Sequence, residues 1–76
     1  MKKTIYTQRR NRLSEQMINA REEAGLSQQQ VAQTQIVSQS ELSKLETGQR
    51  RVEFLLLLDL AKLYAKNIDF FIPNEE

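Results

Sequence analysis

The 76-residue sequence has no Cys and no His. Those two absences exclude a disulfide framework, a zinc finger, a thiol nucleophile and an imidazole base, so stability is expected from packing alone. There is one Pro, Pro73, and there are two Gly, Gly25 and Gly48, which leaves little to interrupt helices. No run alternates with the period of two that marks a strand. Long apolar runs are also missing: "FLLLLDLAKLYA" is broken by Asp59 and Lys62 and is far short of the roughly 20 residues that span a bilayer. The N-terminal "MKKTIYTQRRNR" is basic with no apolar stretch behind it, so nothing suggests export. No membrane association is expected, and the chain reads as cytoplasmic.

What is present fits one small domain, because 76 residues cannot bury two cores, and a binding module is expected rather than an enzyme. The paired carboxylates, Glu22 with Glu23 and Glu75 with Glu76, look like solvated ends rather than an active site. Nothing in the sequence calls for a cofactor or a metal. The net charge of +1 hides an asymmetry: residues 1–52 hold nine Lys and Arg against five Glu, and residues 53–76 hold two Lys against five acids. That division suits one face for a polyanion and another for something else; charges scattered over a solvated surface would look the same.

The apolar spacing predicts an all-α chain of five helices. From Thr7 as N-cap, Leu13, Met17, Ala20 and Ala24 form a stripe that Gly25 ends. Ser27 with Gln30 makes a capping box for a short second helix reaching about Thr34, with Val31 and Ala32 inside. Ser38 with Glu41 repeats the device for a third helix, with Leu42 and Leu45 inside and Gly48 as terminator. "VEFLLLLDLAKLYAKN" is expected to be the longest helix, with Phe54, Leu57, Leu60, Ala61 and Tyr64 toward the core, and "NIDFFI" a short fifth capped by Asn67. By composition "LSQQQVAQTQIVSQSELSKLETGQR", residues 26–50, could be a polar linker. Its spacing instead gives two capped helices about four residues apart, the physical description of a helix-turn-helix. Gln39, Ser40, Ser43 and Lys44 then face outward on the second of them.

From "LSEQMINAREEAGLSQQQVAQ" through "VSQSELSKLETGQRR" to "LAKLYAKNIDFF", the chain resembles the Cro/repressor-type, or XRE-like, helix-turn-helix family. The resemblance implies a compact five-helix lambda-repressor-like DNA-binding domain over residues 9–72, between a basic arm at 1–8 and a short tail at 73–76. It implies base contacts from Gln39, Ser40 and Lys44, since Gln can pair with adenine and Lys with guanine in the major groove. Gln28 is expected on a phosphate, through its side chain and its N–H at a helix start. Ser38, Ser43, Thr47, Gln49 and Arg50 are expected near the sugar-phosphate backbone, joined by Arg9, Arg10 and Arg12 from the N-terminal side. A partly buried ion pair between Arg21 and Glu46 is also implied, against the simpler alternative that Arg21 pairs with Glu22 or Glu23.

Three positions depart from the family pattern. Ile36 stands in the turn where a Gly of positive φ is usual, so the turn is expected either to be strained or to take another path. Val52 replaces a frequent Pro, and Ala65 a usual Gly. Lys2 and Lys3 suit a minor-groove arm or, equally, a merely solubilising tail. On the fourth helix a surplus stripe, Leu56, Leu63 and Phe70 flanked by Leu55, predicts a homodimer on a pseudo-palindromic double-stranded DNA operator. Packing against helix 1 or against a different protein is the alternative. The expected function is a small bacterial or phage transcriptional regulator, repressor or controller-like. The rival is an antitoxin or other protein-interaction module that holds its partner through helices 4 and 5. With no room for an effector domain, regulation is expected from protein level, dimerisation or a partner.

Overall fold

Each of the four α-helices among the described residues is followed by a residue with left-handed backbone, and these stops set the architecture. The computed structural model describes residues 5–72, with side chains from Thr7 onward. Lys2, Lys3 and the tail at 73–76 lie outside the described residues. The helices are α1 (Ile5–Glu23), α2 (Gln28–Gln33), α3 (Gln39–Glu46) and α4 (Phe54–Leu63), with a single 3-10 turn, Ile68–Phe71, after them. The described residues contain no strand. The expected fifth helix is only this turn, closed by i→i+3 bonds: the Phe70 N–H donates to the Asn67 carbonyl at 3.0 Å and the Ile72 N–H to the Asp69 carbonyl at 3.2 Å.

Gly25, Gly48 and Ala65 end α1, α3 and α4 with φ of 74°, 78° and 59°. In each case the next N–H reaches back to close a Schellman motif: Leu26 to the Arg21 carbonyl, Gln49 to Lys44 and Lys66 to Ala61, at 3.2, 2.9 and 2.9 Å. The end of α2 is different. Gln35, not Ile36, takes the left-handed conformation, with φ of 66°. The Thr34 hydroxyl donates to the Val31 carbonyl at 2.6 Å and accepts the Ile36 N–H at 3.3 Å, standing in for the missing backbone bond. Ile36 is thereby spared the strain expected of a β-branched residue, and its side chain packs against the core.

The core is Met17 and Ala20 from α1, Val31, Val37, Leu42, Leu45, Leu60, Ala61, Tyr64 and Phe71, all under a tenth exposed. Burying a Leu or Met side chain of this kind contributes roughly 1.5–3 kcal/mol. Helix α3 lies against both α1 and α2, and the 3-10 turn packs on α1 and α4. Two side-chain bonds tie α1 to distant segments: Ser14 Oγ donates to the Leu45 carbonyl at 3.2 Å, and Gln16 Nε2 to the Phe70 carbonyl at 2.9 Å.

Several sequence expectations need correction. Helix α1, at 19 residues, is the longest, and α4 has 10. Thr7 lies inside α1, since nothing before it breaks the helix, and Ala24 is exposed at its C-cap. Phe54 is 63% exposed rather than core. Helical side chains lean toward the N-terminus, so a first-turn residue overhangs the end of the packed layer. Leu56, Leu63 and Phe70 are half-buried against the core, which is the internal alternative. Beside Leu55, the large apolar side chains left exposed among the described residues are Phe54 and Ile72.

Candidate nucleic-acid interface

Helix α2, the five-residue connection 34–38 and α3 form a unit in which a Ser side chain caps each helix start. Ser27 Oγ accepts the Gln30 N–H at 3.1 Å while Gln30 Oε1 accepts the Ser27 N–H at 2.8 Å. Ser38 Oγ accepts the Glu41 N–H at 3.1 Å, but the Glu41 carboxylate turns away to Arg50 Nη1, 2.7 Å distant. That exposed ion pair is worth at most about 1 kcal/mol, and its effect is to hold Arg50 beside α3. Leu42, Leu45 and Glu46 are buried, which leaves Gln39, Ser40 and Lys44 exposed and Ser43 half-buried on α3. Thr47 is exposed, with its hydroxyl donating to the Ser43 carbonyl at 2.9 Å; Ser38, Gln49 and Arg50 are exposed nearby in sequence.

One buried carboxylate organises the rear of this unit. Glu46, 4% exposed, accepts from Arg21 Nε at 2.8 Å, Arg21 Nη2 at 3.1 Å and Gln28 Nε2 at 2.9 Å. The remaining Arg21 arm, Nη1, donates to the Leu26 carbonyl at 2.9 Å. Arg21 therefore ties α1, the α1–α2 turn and α3 together, and its hydrogen bond to Glu46 pushes its pKa up against the opposing effect of burial. Tyr64 lies near enough to feel both charges. Its phenol is pushed up to about 12, first by burial and then by Glu46, with Arg21 opposing. Its hydroxyl is the one buried side-chain polar atom among the described residues without a hydrogen-bond partner.

A helix-turn-helix model matches residues 12–66, the span that carries this whole arrangement. The chain belongs to the helix-turn-helix domain family. The family is of the XRE/Cro-like type, and DNA is the partner that such a domain supports. No curated protein and no solved structure matches the chain.

Within this family domain, the candidate residues fall into three places. Gln39, Ser40 and Lys44 are the exposed residues of α3. Gln28 stands at the first position of α2, half-buried, with one amide hydrogen committed to Glu46 and its backbone N–H at the helix start. Arg9 and Arg10 lie across from Arg50 and Arg51, lining one groove, and Arg10 Nη2 donates to the Gly48 carbonyl at 3.4 Å. Arg12 is exposed on α1 and does not line that groove.

Sequence reasoning missed the Gln28–Glu46 bond, the Glu41–Arg50 pair, the Thr34 relay and Arg51 in the groove. The first two join residues 18 and 9 apart, spacings that no helical pattern marks. Lys66 was missed as well: it pairs with Glu23 of α1 and sits 4.6 Å over the Phe70 ring. None of the described helices is long and apolar enough to cross a membrane.

Proposed function

We propose that the protein is a cytoplasmic, sequence-specific double-stranded DNA-binding regulator of transcription, with α3 reading the major groove. The observation that carries this is the pattern of burial along α3: Leu42, Leu45 and Glu46 are buried, and Gln39, Ser40 and Lys44 are exposed. Those three side chains offer amide, hydroxyl and ammonium groups of the kinds that pair with base edges. Gln28, Ser38, Ser43, Thr47, Gln49, Arg50, Arg9, Arg10 and Arg12 serve the phosphates and set the register in which α3 reads. Occupancy of the operator then blocks or recruits polymerase, as a lambda-repressor-like regulator would. Selection of bound duplexes from a randomised library tests this directly. Enrichment of one short motif is expected, and binding that stays equal across sequences would sink the assignment.

A protein contact is favoured by a separate observation, the 63%, 63% and 58% exposure of Phe54, Leu55 and Ile72. In a homodimer this patch would place two α3 helices about 34 Å apart on a pseudo-palindromic operator. In the second reading it holds a different protein, as an antitoxin would. Sedimentation at micromolar concentration separates them: a monomer both free and on a two-half-site duplex removes the homodimer.

A further inference from the structure

The same capping signal occurs twice, as Ser27 with Gln30 and as Ser38 with Glu41, and only the first closes in both directions. Gln30 returns its side chain to the Ser27 N–H, whereas the Glu41 carboxylate leaves Ser38 and accepts from Arg50 Nη1 at 2.7 Å. A cap partner is thus diverted to a cation nine residues on. The diversion adds little to stability, because Arg50 and Glu41 keep 53% and 39% of their side chains exposed and water screens such a pair. What it changes is Arg50. After α3 the chain turns through the left-handed Gly48 and the Gln49 N–H bond to the Lys44 carbonyl, and the Arg50 side chain then reaches back to the first turn of the helix. An untethered arginine there would sample many rotamers; the bond to Glu41 selects one. That bond occupies a single N–H of the guanidinium fork, and the exposure of the side chain leaves the others open to a second acceptor.

We propose that Glu41 is a positioning residue for DNA binding: it holds the Arg50 guanidinium against α3 so that the remaining N–H donors of the fork meet a backbone phosphate. The role rests on the DNA-binding reading and adds to it a residue that itself touches no DNA. It also predicts the opposite of simple electrostatics. A carboxylate beside a polyanion repels it, so deleting one at the interface ordinarily tightens binding. Where the carboxylate orients a cation that bonds the phosphate, deleting it loosens binding, because Arg50 must then be ordered by the DNA. Exposed repulsion is screened beyond roughly 8 Å at physiological salt, so the positioning effect is the larger.

The test is a double-substitution cycle on the full chain, read by fluorescence anisotropy on a random-sequence duplex and on one selected from a randomised library. Thermal melting of each variant ensures that folded proteins are compared. Glu41→Ala should weaken binding to both duplexes about threefold to tenfold and lower the salt slope by about 1. Glu41→Gln keeps an oxygen that can accept from Arg50 but no charge, and its affinity should lie between those of wild type and Glu41→Ala. In an Arg50→Ala background, Glu41→Ala should leave binding unchanged or tighten it, since only the repulsion is then removed. A role confined to the start of α3 would lower the melting temperature and leave the affinity and salt slope of the folded chain where they were. That result would overturn the proposal, as would tighter binding by Glu41→Ala or an equal loss with and without Arg50. Weakening on the selected duplex alone would make Glu41 a reader of bases and overturn the phosphate role. A wild-type chain that binds neither duplex would overturn the DNA-binding reading and this role together, whereas each of the other outcomes leaves that reading standing.

Discussion

Arg21 and Glu46, 25 residues apart, face one another through two hydrogen bonds of 2.8 and 3.1 Å, with 14% and 2% of their side chains exposed. Removing one partner leaves the other charge buried and unpaired, which typically costs about 3–5 kcal/mol. Glu46→Ala also strands the Gln28 amide. We expect urea unfolding of Glu46→Ala to show a loss of about 3–5 kcal/mol, and Arg21→Met with Glu46→Leu to recover most of it. A loss under about 1 kcal/mol in the single variant would show that water replaces the pair at little cost.

The Tyr64 hydroxyl makes no hydrogen bond, so its burial is a cost that Phe would not carry. Tyr64→Phe should be neutral or stabilising by up to about 1 kcal/mol. The phenol is raised from 10.0 to about 12 in the fold, so its neutral form is favoured there. That contribution is fully present below about pH 10 and is lost as pH rises through about 12. Wild-type stability should therefore fall more steeply than that of Tyr64→Phe across this window, by chemical denaturation at each pH.

Gln35 and Ala65 hold φ of 66° and 59°, where a Cβ is crowded. Gly relieves that strain at the expense of a more flexible unfolded chain. Gln35→Gly and Ala65→Gly should each raise stability by about 0.5–1 kcal/mol, seen as a higher Tm. Ile36→Gly should instead destabilise, because Ile36 needs no left-handed backbone and packs on the core.

Gln39→Ala should cost about 1–3 kcal/mol on the selected DNA site and almost nothing on random duplex. Arg9→Ala should weaken both alike and reduce the salt slope by about 1. Fluorescence anisotropy across salt concentrations measures each. Arg10 also bonds the Gly48 carbonyl, so its loss would act on the fold as well.

Phe54→Ser with Leu55→Ser removes exposed apolar surface without opening the core. Self-association should weaken while the thermal midpoint of the monomer holds. A dimer that survives this pair but fails with Ile72→Ser would move the contact to the 3-10 turn.

Sequence by itself determined the starts of α2 and α3 and the stops of α1 and α3, because these are local: Ser27 caps α2, Ser38 caps α3, and Gly25 and Gly48 accept left-handed backbone. It also determined the inner face of α3, since Leu42 and Leu45 lie at helical spacing. Local signals did not extend to the turn, where the strain expected at Ile36 falls on Gln35 and a Thr34 hydroxyl supplies the missing bond. Nor could they decide which of the many leucines of α4 would be covered. That depends on tertiary packing, including that of the 3-10 turn on α4, so Leu56, Leu63 and Phe70 pack inward while Phe54 overhangs the layer. The arginine-rimmed groove likewise exists only because tertiary packing brings residues 9 and 10 across from residues 50 and 51. Charge and burial at such a place are properties of neighbours far apart in the chain, which periodicity along one helix does not encode.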